Sequence, residues 1–166
     1  VDQQKNLVFS SSAFIFSPFT KRIKAKVNEK SRKLIIKGPL YKVGDITSFH
    51  WYGIHLLSIL KAIHNEVVSN LVLSKEDNCY IIKANSGSLE IEIQAYLKDF
   101  HDFDVYLINQ SEIYYDSLKN DSKILYEYLL EGVIDFFDYN TIPFTLQDNY
   151  EMQLLLDKLN KEEKVI

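Results

Sequence analysis

The run Trp51-Tyr52-Gly53-Ile54-His55-Leu56-Leu57 places one histidine among apolar residues, and the spacing of its neighbours predicts a helix around it. His55 stands one turn after Trp51 and one turn before Ile59, so it can project from the helix edge towards a pocket mouth. An imidazole that titrates near neutrality suits a general acid or base, although a lone histidine on a helix is more often structural. His50 precedes it by five positions and His64 follows by nine, neither of which is a metal-ligand spacing on a helix. Trp51, His50 and Tyr52 are the aromatic groups that could line a pocket beside it. The indole of Trp51 is a flat apolar surface suited to the C–H face of a sugar.

Other clusters are weaker candidates. Lys21, Arg22, Lys24, Lys26, Lys30, Arg32, Lys33 and Lys37 form a basic segment opposed only by Glu29. It could attract a phosphorylated or nucleotide-bearing substrate, or it could be the solvated face of an amphipathic helix. Glu90 and Glu92 share one side of an alternating strand, where a surface role is the simpler reading. The serines have no nucleophile-elbow context, and the single cysteine, Cys79, has no Cys/His partners at zinc spacing. A glycine-rich phosphate loop is absent from the sequence.

Composition sets the frame for these residues. A chain of 166 residues that is 46% hydrophobic and 13% aromatic can build one domain with a real core. Its net charge of −4 argues against nucleic acid as the main partner. The apolar run Leu7 to Phe19 is too short to span a bilayer and is interrupted by Ser10 to Ser12, Ser17 and Pro18, so no membrane association is expected. One cysteine fits a reducing, cytoplasmic location. An opening at Val1 without an initiator methionine is expected of a trimmed or processed product.

The elements follow from periodicity. Leu7 to Phe16 reads as a buried strand, Phe19 to Ser31 as a helix and Lys33 to Lys37 as a short strand closed by Gly38-Pro39. A helix from Phe49 to His64 carries Tyr52, Leu56, Ile59, Leu60 and Ile63 on one face. Strands are expected at Val67 to Ser74, Cys79 to Ala84, Ser88 to Leu97, Phe103 to Asn109 and Glu112 to Asp116. Asn85-Ser86-Gly87 predicts an antiparallel hairpin over Cys79 to Leu97. Two helices, Ser122 to Tyr139 and Gln147 to Leu159, end the chain on either side of Pro143. In Ser88 to Leu97 the apolar residues alternate with Glu90, Glu92 and Gln94, so helices should cover one sheet face. The other face, with Tyr106 and Ile108 on it, is either half-exposed or a subunit interface.

The order of these motifs resembles a known family. Ser11-Ser12-Ala13-Phe14-Ile15-Phe16-Ser17-Pro18, a helix, a strand ending Gly38-Pro39, and then Tyr52-Gly53-Ile54-His55-Leu56-Leu57 resemble the start of the C-terminal domain of the Gfo/Idh/MocA oxidoreductases. Tyr126 to Phe137, Ile142-Pro143-Phe144 and the helix through Glu151 to Leu159 resemble its close. The resemblance implies an α+β domain with an open, mostly antiparallel sheet and helices on one face, of the dihydrodipicolinate-reductase-like C-terminal type.

It further implies a single domain over residues 1–166 that binds a sugar or nucleotide-sugar substrate and forms homo-oligomers through the open sheet face. NAD or NADP would be held by a Rossmann domain lying upstream of Val1, and this chain alone would bind neither. His55 matches the family histidine that assists proton transfer, and Trp51, His50 and Tyr52 become substrate contacts. Two positions depart from the pattern: the aspartate usual four residues before the histidine is Trp51, and the arginine usual after the first strand is Ile15. The resemblance is therefore compatible with altered acid-base residues, or with a binding and assembly module that has kept the fold without the activity.

Overall fold

The structure is a computed structural model that describes residues 12–41, 49–142 and 144–164, the side chains of His50 and Trp51 excepted. Six strands form one sheet in the order β2-β3-β4-β1-β5-β6. They are β1 (Ser31–Pro39), β2 (Ser69–Glu76), β3 (Cys79–Ser86), β4 (Leu89–Tyr96), β5 (Asp104–Asn109) and β6 (Ile113–Ser117). β1 pairs with β4 in parallel, and every other pairing is antiparallel. The helices are α1 (Pro18–Lys24), α2 (Ile54–Ile63), α3 (Leu125–Tyr139) and α4 (Leu146–Glu163).

Strict alternation sorts the sheet into two faces. Leu34 and Ile36 on β1, Ile82 and Ala84 on β3, Ile91, Ile93 and Ala95 on β4, and Val105 and Leu107 on β5 are buried on the same side. Helix α2 packs there and is itself buried at Leu56, Leu57, Ser58, Ile59, Leu60 and Ile63. The opposite face carries Lys33, Ile35 and Lys37 beside Glu92, Gln94 and Tyr106. Polar groups there satisfy one another: Lys33 Nζ reaches Glu92 Oε2 at 2.6 Å, and Lys37 lies over the Tyr106 ring at 5.1 Å.

The expected α+β fold, the hairpin over β3 and β4 turning at Gly87, and the outward direction of Tyr106 and Ile108 are all present. Some expectations change. The strand expected over Leu7 to Phe16 lies outside the described residues as far as 11, and Ala13–Ile15 form a 3-10 turn instead. The helix expected to reach Ser31 ends at Lys24, and β1 takes up the chain at Ser31. Nothing apolar continues the inward side of α1 beyond Ile23 except Val27, and the Asn28 side-chain oxygen accepts from the Lys30 amide in a tight turn.

The basic segment is accordingly divided among several surfaces. Arg22 on α1 binds Asp116 at 2.6 Å and Asp121 at 3.1 Å, Lys26 lies over Tyr114 at 5.2 Å, and Lys33 and Lys37 belong to the outer sheet face. It is neither one cationic patch nor the face of one helix.

Candidate functional site

The helix that carries His55 does not start as a regular helix. Residues Phe49–Gly53 form a π-helical turn, the wide form in which functional groups are often re-aimed, and α2 begins at Ile54. Phe49 is fully buried, and a Cβ on Gly53 would lie 3.0 Å from its ring and 3.3 Å from Leu156 of α4. This close approach seats the turn against α4 and leaves His55 on the side of α2 that faces the 3-10 turn.

Three aromatic rings surround the imidazole edge-on. Phe14 stands at 4.9 Å between ring centroids, Tyr52 at 5.8 Å and Phe103 at 6.4 Å. Phe103 enters from the start of β5 because β1 carries Gly38 opposite, where a side chain would collide with it. Among the described residues, the polar contact of the imidazole is Ser12 Oγ, 3.3 Å from Nδ1. Burial among these rings disfavours the imidazolium and lowers the pKa of His55. At neutral pH the ring is uncharged, and one nitrogen has a lone pair able to accept a proton.

A second group of rings continues outward from Tyr52. Tyr41, just beyond β1, packs edge-on to Tyr52 at 5.2 Å. Its hydroxyl donates to the Phe100 carbonyl at 2.6 Å and makes a short hydrogen bond with Nδ1 of His101. Desolvation raises the pKa of Tyr41. The result is a continuous row of polar-tipped aromatics, His55, Tyr52, Tyr41 and His101, running from the interior to the exposed His101.

Of the residues singled out from sequence, the fold brings His55 and Tyr52 into contact. His50 and Trp51 share the π-helical turn with Tyr52, and their side chains lie outside the described residues. Glu90 and Glu92 sit on the outer sheet face, away from the imidazole, with Glu92 engaged by Lys33. Sequence reasoning passed over Phe14, Tyr41, His101 and Phe103. The available signal was the Gly38-Pro39-Leu40-Tyr41 end of β1, since residues at strand ends are where an open sheet collects side chains from distant segments.

A nicotinamide nucleotide does not fit the described part of this chain. Binding its pyrophosphate calls for glycines that let backbone amides approach it at a helix start. Gly38, Gly53 and Gly132 are each filled by neighbouring side chains, and Gly87 turns the β3–β4 hairpin. No helix among the described residues is long and apolar enough to cross a membrane.

No protein-family model matches the sequence, and no curated protein does. Among solved structures, the crystal structure of a dehydrogenase (MviM) from Clostridium difficile is similar, with a TM-score of 0.67 at 15% sequence identity. The match covers 90% of this chain and 60% of that one, so the chain spans about three-fifths of the dehydrogenase's length. At that identity the likeness establishes the fold, which is one that a dehydrogenase uses.

Proposed function

We propose that this chain is the substrate-binding and oligomerisation domain of an NAD(P)-dependent sugar or nucleotide-sugar oxidoreductase of the Gfo/Idh/MocA type. The observation that carries this reading is the position of His55: in a fold shared with a dehydrogenase over 90% of the chain, the histidine stands neutral in a ring of aromatics at the head of the central helix.

In this reading the nicotinamide cofactor, which supplies hydride chemistry when bound, is held by a separate domain, because Gly38, Gly53 and Gly132 here are occupied by packing and Gly87 turns a hairpin. His55 accepts or returns the proton of a substrate hydroxyl, and Ser12 orients the ring through Nδ1. Tyr52 and Tyr41 present ring edges to a sugar, and Trp51 and His50, neighbours of Tyr52 in the sequence, are the further substrate contacts of this reading. With Trp51 where the family has an aspartate, no carboxylate at that position charges the imidazole, and its proton affinity is left to burial.

The test is turnover of the full-length protein, cofactor domain included, against a panel of sugars and nucleotide sugars. His55→Ala should lower kcat by about a hundredfold or more, the usual worth of a positioned acid-base group. Unchanged kcat on a substrate the wild type turns over removes His55 from the mechanism.

A second reading, an assembly module without catalysis, is favoured by the outer sheet face. Ile35, Tyr106 and Ile108 form an apolar band there, continued by the exposed Ile113 and Tyr115 on β6. In either reading this band joins two copies. Ile108→Asp should shift the sedimentation coefficient from oligomer to monomer, and an unaltered coefficient would count against contact through this face.

A further inference from the structure

Helix α3 is divided lengthwise into three sectors. Leu125, Gly132 and Phe136 are its buried side, and Gly132 meets the Phe16 ring. At 3.6 residues per turn, Tyr126, Leu130, Ile134 and Phe137 fall within about 80° of one another on a different side. Their exposures are 71%, 62%, 57% and 74%. Beyond them lie Glu127, Glu131, Asp135 and Asp138, all exposed, and none is held by an ion pair or a side-chain hydrogen bond among the described residues.

An amphipathic helix needs one apolar stripe, and on α3 the half-buried Leu129 and Val133 widen that stripe until it runs on into the outer residues, of which the fold covers none. The outer stripe is contiguous, which marks an interaction surface rather than scattered exposed residues. Charge decides what can cover it. The nearest cation along the chain is Lys123, one turn before Glu127, and from Ile124 to Asp157 the sequence contains no lysine, arginine or histidine, so the acidic row keeps a net negative charge.

A second copy packed α3 against α3 would set one acidic row against another. The cations on α1, Lys21, Arg22 and Lys24, stand on a helix whose apolar residues Phe19 and Ile23 are buried, and on the outer sheet face Lys33 and Lys37 are already engaged by Glu92 and the Tyr106 ring, so neither surface of a second copy offers free cations beside an apolar ridge. An anionic membrane or a nucleic acid would be repelled. A cationic amphipathic helix satisfies both demands: its apolar ridge covers Tyr126, Leu130, Ile134 and Phe137, and its lysines or arginines reach the acidic row. We propose that the outer face of α3 is a docking site for a cationic amphipathic helix of a separate protein.

A fluorescein-labelled peptide of leucine and lysine, roughly 18 residues so that a helix is sustained, with leucines at i, i+3, i+4 and i+7, is the probe. Anisotropy should report saturable one-to-one binding that weakens with salt. Leu130→Ser with Ile134→Ser should weaken it at least about tenfold. Both residues are solvent-facing, and circular dichroism confirms that the variant is folded. Glu127→Lys with Glu131→Lys should weaken it likewise and confer binding to a second peptide in which glutamate replaces lysine.

Equal binding to wild type and both variants would overturn the proposal, since the attraction would then be unspecific. So would a wild-type dimer dispersed by the serine variant, which makes the occupant a second copy. A longer gene product that fails to bind the peptide while the 166-residue chain binds it would also overturn it, by assigning the face to an internal domain contact.

Discussion

Phe103 occupies the space that a side chain on Gly38 would need: a Cβ there would lie 2.5 Å from Cδ1 of the phenyl ring and 2.8 Å from Cδ2 of Leu56. The glycine is thus the opening through which the start of β5 passes under α2 and reaches His55. Gly38→Ala should cost about 1–3 kcal/mol, the usual penalty of overpacking, and both neighbours are too deeply buried to yield freely. Urea denaturation would measure it. A loss much below that range would mean that Phe103 has another rotamer available.

Asp121 is the anchor of α1. It is buried, and its carboxylate accepts from the Phe19 amide at 2.8 Å, from the Ser17 hydroxyl at 3.3 Å and from the Arg22 guanidinium at 3.1 Å. Asp121→Ala leaves a buried amide and a buried hydroxyl without this acceptor, which should cost about 2–3 kcal/mol. The Arg22 share is small, because that side chain is 46% exposed and solvent screens it. Arg22→Ala should therefore cost well under half as much, and equal losses in the two variants would show the ion pair to be the anchor.

How far the sequence disclosed this arrangement depends on the range of the interactions involved. Alternation in Leu89–Tyr96 and the turn at Gly87 are local, so strands, hairpin and facing were legible. Nothing local separates Asp121 from a surface acid, or reveals that it caps a helix that begins at Pro18. Tyr52, three residues before His55, was legible as its neighbour, but the rest of the aromatic setting was hidden: Phe14 and Phe103 reach the imidazole from a 3-10 turn and from the start of β5, far away along the chain. The π-helical turn breaks the 3.6-residue period that pattern reading assumes.

Two histidines should make stability depend on pH. Burial lowers the pKa of both His55 and His64 below the 6.5 of a free imidazole. Below pH 6.5 the unfolded chain takes up protons that the folded chain refuses, so stability is full above that pH and falls as pH drops towards the folded values. Each group contributes a slope of up to about 1.4 kcal/mol per pH unit within its window. Tm measured from pH 7.5 to 5 should therefore fall, and His55→Phe should flatten the curve. A curve of the same slope in the variant would assign the effect elsewhere.

His64 permits a sharper version of that test. Its Nε2 is buried without a hydrogen-bond partner among the described residues, with Glu66 Oε2 3.8 Å away. The ring helps to line an apolar groove of about 360 Å³ with Leu57, Leu60 and Met152. A buried polar atom left unpaired is a net cost, so His64→Leu should be neutral or stabilising above pH 7 and should gain on wild type as pH falls. Destabilisation at pH 7.5 would mean that the nitrogen has a partner in solution, such as a bound water.

Gly132 sets two effects of opposite sign against each other. In the interior of a helix, alanine is favoured over glycine by about 1 kcal/mol. Here the added Cβ would stand 2.2 Å from Cε1 of Phe16, with two further ring atoms at 2.5 Å, so the methyl group and the ring would claim the same volume. Overpacking of that kind costs about 1–3 kcal/mol and should exceed the gain in propensity. Gly132→Ala should therefore lower stability, and Gly132→Ala with Phe16→Leu should recover part of it by making room. If the single variant is instead more stable, α3 can move away from Phe16 at little cost and its inner contact is weak.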